Sequence, residues 1–199
     1  MTTDNFEAIK TEILKRAREH QACTEQYGRA YKSKNLAEMM QVIKDNFHWA
    51  CRHDVVTPDI IEQYREDFAA NDIYLNVDAN RGFVLCVKAT VNAFGTSTVE
   101  AFGKAMVTAY DYSTVMTYDY STVVARNNST VVACNSATVV AYGCATVKAY
   151  NNATVKAFDD SYCTSLNMIE CKLNDNAIYR LKSKNIIFYA NDEIKFVKQ

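Results

Sequence analysis

A chain of 199 residues that is 23% charged and 49% hydrophobic, with a formal net charge of −1, has ordinary globular balance and room for one medium domain or two small ones. Disorder is excluded by that balance, and no run of ~18 apolar residues marks a membrane span. The opening MTTDNFEAIK carries acids instead of an apolar export signal, and seven cysteines, an odd number at irregular spacing, fit reduced thiols in a cytosol, so a cytoplasmic protein is expected.

Residues 1–72 carry helical periodicity. Phe6, Ile9, Ile13, Ala17 and His20 recur at the spacing of one helix face; so do Leu36, Met40, Ile43, Phe47 and Ala50, and then Ile61, Tyr64 and Phe68. Three helices are expected. Asn35 with Glu38 three residues on reads as a capping box, and Thr57-Pro58 places an N-cap before a proline at the first helical position. The expectation is a small helical domain docked as a cap on whatever follows it.

From Ile73 to Asp192 the chain is an array of eight-residue units. Aligned on their Thr-Val pairs, residues 89–160 read ATVNAFGT, STVEAFGK, AMVTAYDY, STVMTYDY, STVVARNN, STVVACNS, ATVVAYGC, ATVKAYNN and ATVKAFDD, with degenerate units on both sides. A period of eight fits neither a 3.6-residue helix nor a heptad coil, whereas inside each octad the small apolar residues alternate with period two. Each octad is therefore a short strand and a turn. Octad positions one, three and five (Ala or Ser, Val, Ala) share one face and are assigned to the interior, while two, four and six (Thr, a variable residue, an aromatic) point outward. Position seven is Gly, Asn or Asp in twelve of the fifteen octads, the residue types that accept positive φ at least cost, and the corner is placed there.

Side chains as small as Ala and Val close a two-sheet interior but would leave a triangular coil hollow, so two octads per coil are expected, seven to eight coils in all. Larger interior residues flare at the ends: Ile73, Leu75, Val77, Phe83 and Leu85 at one, and Leu173, Tyr179, Leu181, Ile187 and Tyr189 at the other. The final EIKFVKQ reads as a charged, edge-blocking segment. The expected fold class is α+β: a three-helix N-terminal cap over 1–72, then a two-sided β-solenoid over 73–199.

Chemistry is sparse. His48, Cys51 and His53, with His20 and Cys23, match no zinc-ligand spacing; no phosphate loop, nucleophile elbow or paired acids stand out, so no enzyme, metal or cofactor is expected. The N-x-[ST] matches at Asn128 and Asn152 arise where a corner Asn meets the next octad. With ten Lys and Arg against nine Asp and Glu between residues 73 and 192, the array has neither the basic stripe of a nucleic-acid binder nor the acidic surface of a DNA mimic. A column of outward Thr suggests ice binding, but the Phe and Tyr column two positions along spoils the flat surface that would require.

The middle of the array loses its charges: none lies between Arg126 and Lys148, and only Asp111 and Asp119 between Lys104 and Arg126. Outward there stand Tyr110, Met116, Tyr118, Tyr120, Val124, Arg126, Val132, Val140 and Tyr142, the candidate partner-binding residues. Two readings of them stand side by side. Rigid, exposed Tyr and aliphatic side chains suit a protein-binding face; outward Val and Tyr also favour strands and pack along ladders with stacked neighbours.

The run STVVACNSATVVAYGCATVKAYNNATVKAF resembles the octapeptide-repeat proteins of gut Bacteroidetes and their phages and mobile elements. The resemblance covers the array well and the helical segment loosely; Arg126 and Cys134 interrupt the aromatic column, and Met106 and Tyr162 the Thr column. What it implies is architecture, with no catalytic or binding residue to carry over, and a counter-defence role in which the protein inhibits a host nuclease complex. The expected partner is accordingly another protein. A homodimer through the solenoid, or a self-assembling scaffold, is the alternative.

Overall fold

A computed structural model describes residues 5–190 of the chain. The chain divides into two compact units, Met1–Leu75 and Asn76–Gln199.

The first unit holds α1 (Phe6–Glu19), α2 (Thr24–Lys32), α3 (Leu36–Asp45), α4 (Phe47–Arg52), α5 (Pro58–Gln63) and α6 (Arg65–Ala69), and ends in the short strand β1 (Ile73–Leu75). Six described helices replace the three expected. Two of the periodic segments break in the middle, at Asn46 and at Tyr64, which serve as the boundary residue on both sides. At Asn46 the side chain explains the break: its Nδ2 donates to Val42 O at 2.8 Å, closing off the preceding turn. The helix α2 escaped the periodicity because Ala30 is the one residue it fully buries. Half of the capping box is present as expected, Glu38 N donating to Asn35 Oδ1 at 2.9 Å, while the Glu38 carboxylate accepts from Lys34 N at 2.8 Å and from Asn35 Nδ2 at 3.1 Å in place of the Asn35 backbone. Pro58 opens α5, but the Thr57 hydroxyl makes no cap bond and accepts instead from Arg16 Nη1 at 2.9 Å. Among the described residues no helix is long and apolar enough to cross a membrane.

The second unit is a β-solenoid. Its strands, in chain order, are β2 (Phe83–Val87), β3 (Thr90–Ala93), β4 (Thr98–Phe102), β5 (Met106–Ala109), β6 (Thr114–Thr117), β7 (Thr122–Ala125), β8 (Thr130–Ala133), β9 (Thr138–Ala141), β10 (Thr146–Ala149), β11 (Thr154–Ala157), β12 (Tyr162–Ser165), β13 (Glu170–Leu173), β14 (Ile178–Leu181) and β15 (Ile186–Tyr189). Even-numbered strands β2 to β14 stack in order in one parallel sheet, which β15 closes, and odd-numbered β3 to β13 stack in the other. Cα partners lie sixteen residues apart, Thr114 between Thr98 and Thr130, and Thr138 between Thr122 and Thr154. Two octads thus make one coil, as core volume required.

The interior follows the Ala-Val-Ala pattern without a gap in the middle. Val99, Val115, Val123, Val131, Val139, Val147 and Val155 are completely buried, as are Ala101, Ala109, Ala125, Ala133, Ala141, Ala149 and Ala157. Ser97 and Ser113 at position one enter this core by bonding back across the corner, Ser97 Oγ donating to Phe94 O at 2.9 Å and Ser113 Oγ to Tyr110 O at 2.7 Å, whereas Ser129 Oγ and Ser161 Oγ are buried with no hydrogen-bond partner among the described residues. Corners stand where the seventh position placed them. Asp111, Asp119, Asn127, Asn135, Asn151, Asp159 and Asp175 all have φ between 54° and 59°, with Gly95, Gly103 and Gly143 at positive φ beside them. Side-chain bonds climb these edges. Asp111 Oδ2 accepts from Gly95 N at 3.1 Å, and its Oδ1 accepts from Asn127 Nδ2 at 3.2 Å, each one coil away.

Both ends depart from the octad frame. Phe83 pairs with Thr98 and Val84 with Val99, a spacing of fifteen, so Val84 and Cys86 enter the interior where the frame assigned Phe83 and Leu85. The cause is the corner: it falls on Lys88, at φ 51°, because β-branched Val87 is a poor residue for a left-handed turn. Leu85 is buried from the outward face, beside its Cα partner Glu100, which is also fully buried. Val77, expected inside, is 44% exposed. At the other end Tyr179 and Leu181 are buried as expected, but the last octad is not a coil: β15 turns back antiparallel to β14, leaving Ile187 and Tyr189 exposed while Phe188 stacks on Tyr179 at 5.4 Å. With one octad out of frame and another reversed, about six coils remain instead of seven to eight. The segment EIKFVKQ lies outside the described residues.

Candidate functional site

Because consecutive octads enter opposite sheets, the nine candidate residues do not form one surface. Tyr110, Val124, Arg126, Val140 and Tyr142 belong to the odd-numbered sheet; Met116, Tyr118, Tyr120 and Val132 belong to the even-numbered one. An eight-residue reading merges the two faces into one strip, and the sixteen-residue register separates them.

On the even-numbered sheet the group does not hold together. Met116 and Val132 are Cα partners and half-buried. Tyr118, however, stacks on Phe102 with ring centroids 4.9 Å apart and is only 5% exposed, while Tyr120, at the corner, is 72% exposed. Tyr118 therefore packs against its own sheet, and substituting it would test packing.

The odd-numbered sheet builds a coherent face from three parallel columns. Its centre runs Thr108, Val124, Val140, Lys156, with Val124 and Val140 as Cα partners. On one side runs Met106, Thr122, Thr138, Thr154, in which Met106 is 56% exposed. On the other side stand the sixth-position side chains Phe94, Tyr110, Arg126, Tyr142 and Phe158. Phe94 stacks on Tyr110 at 5.0 Å and 10°, Tyr142 stacks on Phe158 at 5.0 Å and 14°, and the Arg126 guanidinium lies 5.0 Å from the Tyr142 ring centroid. Stacking at the strand spacing gives offset, near-parallel rings, which is the favourable geometry for aromatic pairs. Each ring is thereby held against its neighbour along the column. Phe94 and Phe158 were missed as site residues; reading the aromatic column at every second octad finds them.

Residues singled out for metal chemistry are not brought together as a ligand set. His53 stacks on Trp49 at 4.9 Å and His20 lies 6.4 Å from His53, ring centroid to ring centroid. Among the described residues no group of three or more His, Cys, Asp or Glu is placed to hold a metal ion. Burial pushes Cys86 up to about 11, and a hydrogen bond with Cys171, together with burial, raises Cys163 well above the ordinary thiol value.

Compared with protein-family models, with curated proteins and with solved structures, the chain finds no match.

Proposed function

We propose that the solenoid is a protein-binding module and that the outward face of its odd-numbered sheet, centred on Val124, Val140, Arg126 and Tyr142, is the contact surface. The observation that carries this reading is the stacked column from Phe94 to Phe158 with Arg126 set into it, lying beside a pair of outward valines. Tyr and Arg are the residue types that dominate binding energy at interfaces, and side chains already locked by stacking lose little entropy on binding. The fitting partner presents apolar side chains to Val124 and Val140 and a carboxylate to Arg126. Inhibition of a host nuclease complex, which the repeat resemblance implies, is one form such binding would take.

The test is capture with purified protein from lysate of the source cells, run in parallel with Val140→Asp and with Lys148→Asp on the opposite face. Supporting the reading requires a partner retained by wild type and by Lys148→Asp and lost with Val140→Asp. Retention by all three would move the site off this sheet.

A second reading, self-assembly, draws on Ile186, Ile187 and Tyr189, which are exposed along the reversed strand β15. Sedimentation of wild type against Ile187→Lys distinguishes it: a concentration-dependent oligomer abolished by the substitution favours self-assembly.

A further inference from the structure

The helical unit has a cavity, partly open to solvent, that the solenoid reading does not use. It has a volume of about 260 Å³ and lies among α1, α2, α3 and α4, with Ile13, Tyr27, Ala30, Met39, Ile43 and Trp49 on its walls. None of the fourteen lining residues carries a charge, and the polar side chains at it, Gln26 and Asn46, are tied to each other by Asn46 Nδ2 donating to Gln26 Oε1 at 3.2 Å. A charged group buried among these residues would therefore lose its hydration without finding a counter-charge on the lining. Two aromatic walls are held in place from behind. Tyr27 receives Arg18 Nη2 on its hydroxyl at 2.8 Å with the guanidinium 5.6 Å from its ring, and Trp49 is backed by the His53 ring at 4.9 Å. Met39, fully buried, supplies a thioether of the kind that favours contact with an aromatic ring. Apolar cavities of about 150 Å³ already admit a benzene ring, so this volume suits one or two rings.

We propose that this cavity is a binding site for a small uncharged aromatic molecule of one or two rings, sandwiched between Trp49 and Tyr27. Its size, its uncharged lining and the two aromatic side chains on its walls specify that class. The proposal is independent of the solenoid face.

Trp49 is the single tryptophan of the chain, so its emission reports occupancy directly. The full-length protein is titrated with toluene and 1-methylnaphthalene, and with benzoate as a charged probe of similar size, reading Trp49 fluorescence and Tm. Expected are a saturable change in emission and a raised Tm with both uncharged probes, at least tenfold weaker binding of benzoate, and displacement of toluene by 1-methylnaphthalene. Ala30→Leu, which fills the cavity, should remove the response while keeping the helical circular dichroism. No saturable response up to the solubility limit, equal binding of benzoate, or an undiminished response in folded Ala30→Leu would overturn the proposal. If Ala30→Leu does not fold, benzoate discrimination and probe displacement on the wild-type protein decide.

Discussion

The Arg126 guanidinium lies 5.0 Å from the centre of the Tyr142 ring, one coil further along the odd-numbered sheet. An exposed contact of this kind contributes about 0.5–1 kcal/mol to stability. Arg126→Ala should therefore lower Tm only slightly, while reducing partner capture at least tenfold. Arg126→Lys, which keeps the charge but loses the planar fork, should fall between the two in a binding titration.

Val123 and Val124 are neighbours in β7 that face opposite ways: Val123 is fully buried and Val124 half-buried on the outward face. An aspartate at 123 has no counter-charge in the Ala-Val interior, so Val123→Asp should prevent folding. Val124→Asp should yield soluble protein with an unchanged β-rich circular dichroism spectrum. Cooperative thermal unfolding of Val123→Asp would contradict the assignment of inside and outside.

Gly95 and Gly103 occupy equivalent corners at φ 55° and 69°, but their surroundings differ. A Cβ on Gly95 would lie 2.4 Å from Asn80 O, whereas on Gly103 the nearest atom is Lys88 Cγ at 3.4 Å, part of a flexible side chain. Both alanine variants bear the cost of a left-handed residue, roughly 1–2 kcal/mol. Gly95→Ala should be the more destabilised in denaturant titrations, because the Asn80 backbone must also shift.

Cys23 and Cys144 are exposed and should react first with iodoacetamide at pH 8, while Cys86 and Cys163, buried and with raised pKa values, should be protected until the chain unfolds. The raised Cys86 value has a definite sign for stability. The folded state keeps its proton where the unfolded chain, with an ordinary thiol value of 9.0, releases it. Its contribution is thus fully present below pH 9 and lost as the pH rises through about 11. Comparing Cys86→Ala with wild type across that window isolates it: the wild-type slope should be the steeper.

The sequence made the middle of the solenoid legible because each octad repeats one decision: small residues inside, a left-handed corner, the same register sixteen residues on. At the ends that decision is made once and by unlike residues. Lys88 takes a corner that the frame gave to Val87, and the reversal after Leu181 has no repeat to announce it. The helical unit was readable where apolar spacing is strong, as in α1, and unreadable in α2, where one alanine is fully buried. The candidate face was only half legible. Residue types marked the uncharged middle, but which of them share a surface depends on how many octads close a coil, and the burial of Tyr118 depends on packing that periodicity does not carry.

The sixteen-residue register constrains how this protein can change length. Inserting or deleting a pair of octads preserves the face of every other strand, so coils can be gained or lost without rewriting either outward face. Removing a single octad transposes everything downstream: Val140 would exchange sheets and join the ladder that now holds Met116 and Val132. Recombination between similar octads is thus a route to an abruptly altered surface on an unaltered core, a form of variation that point substitution reaches only through many steps.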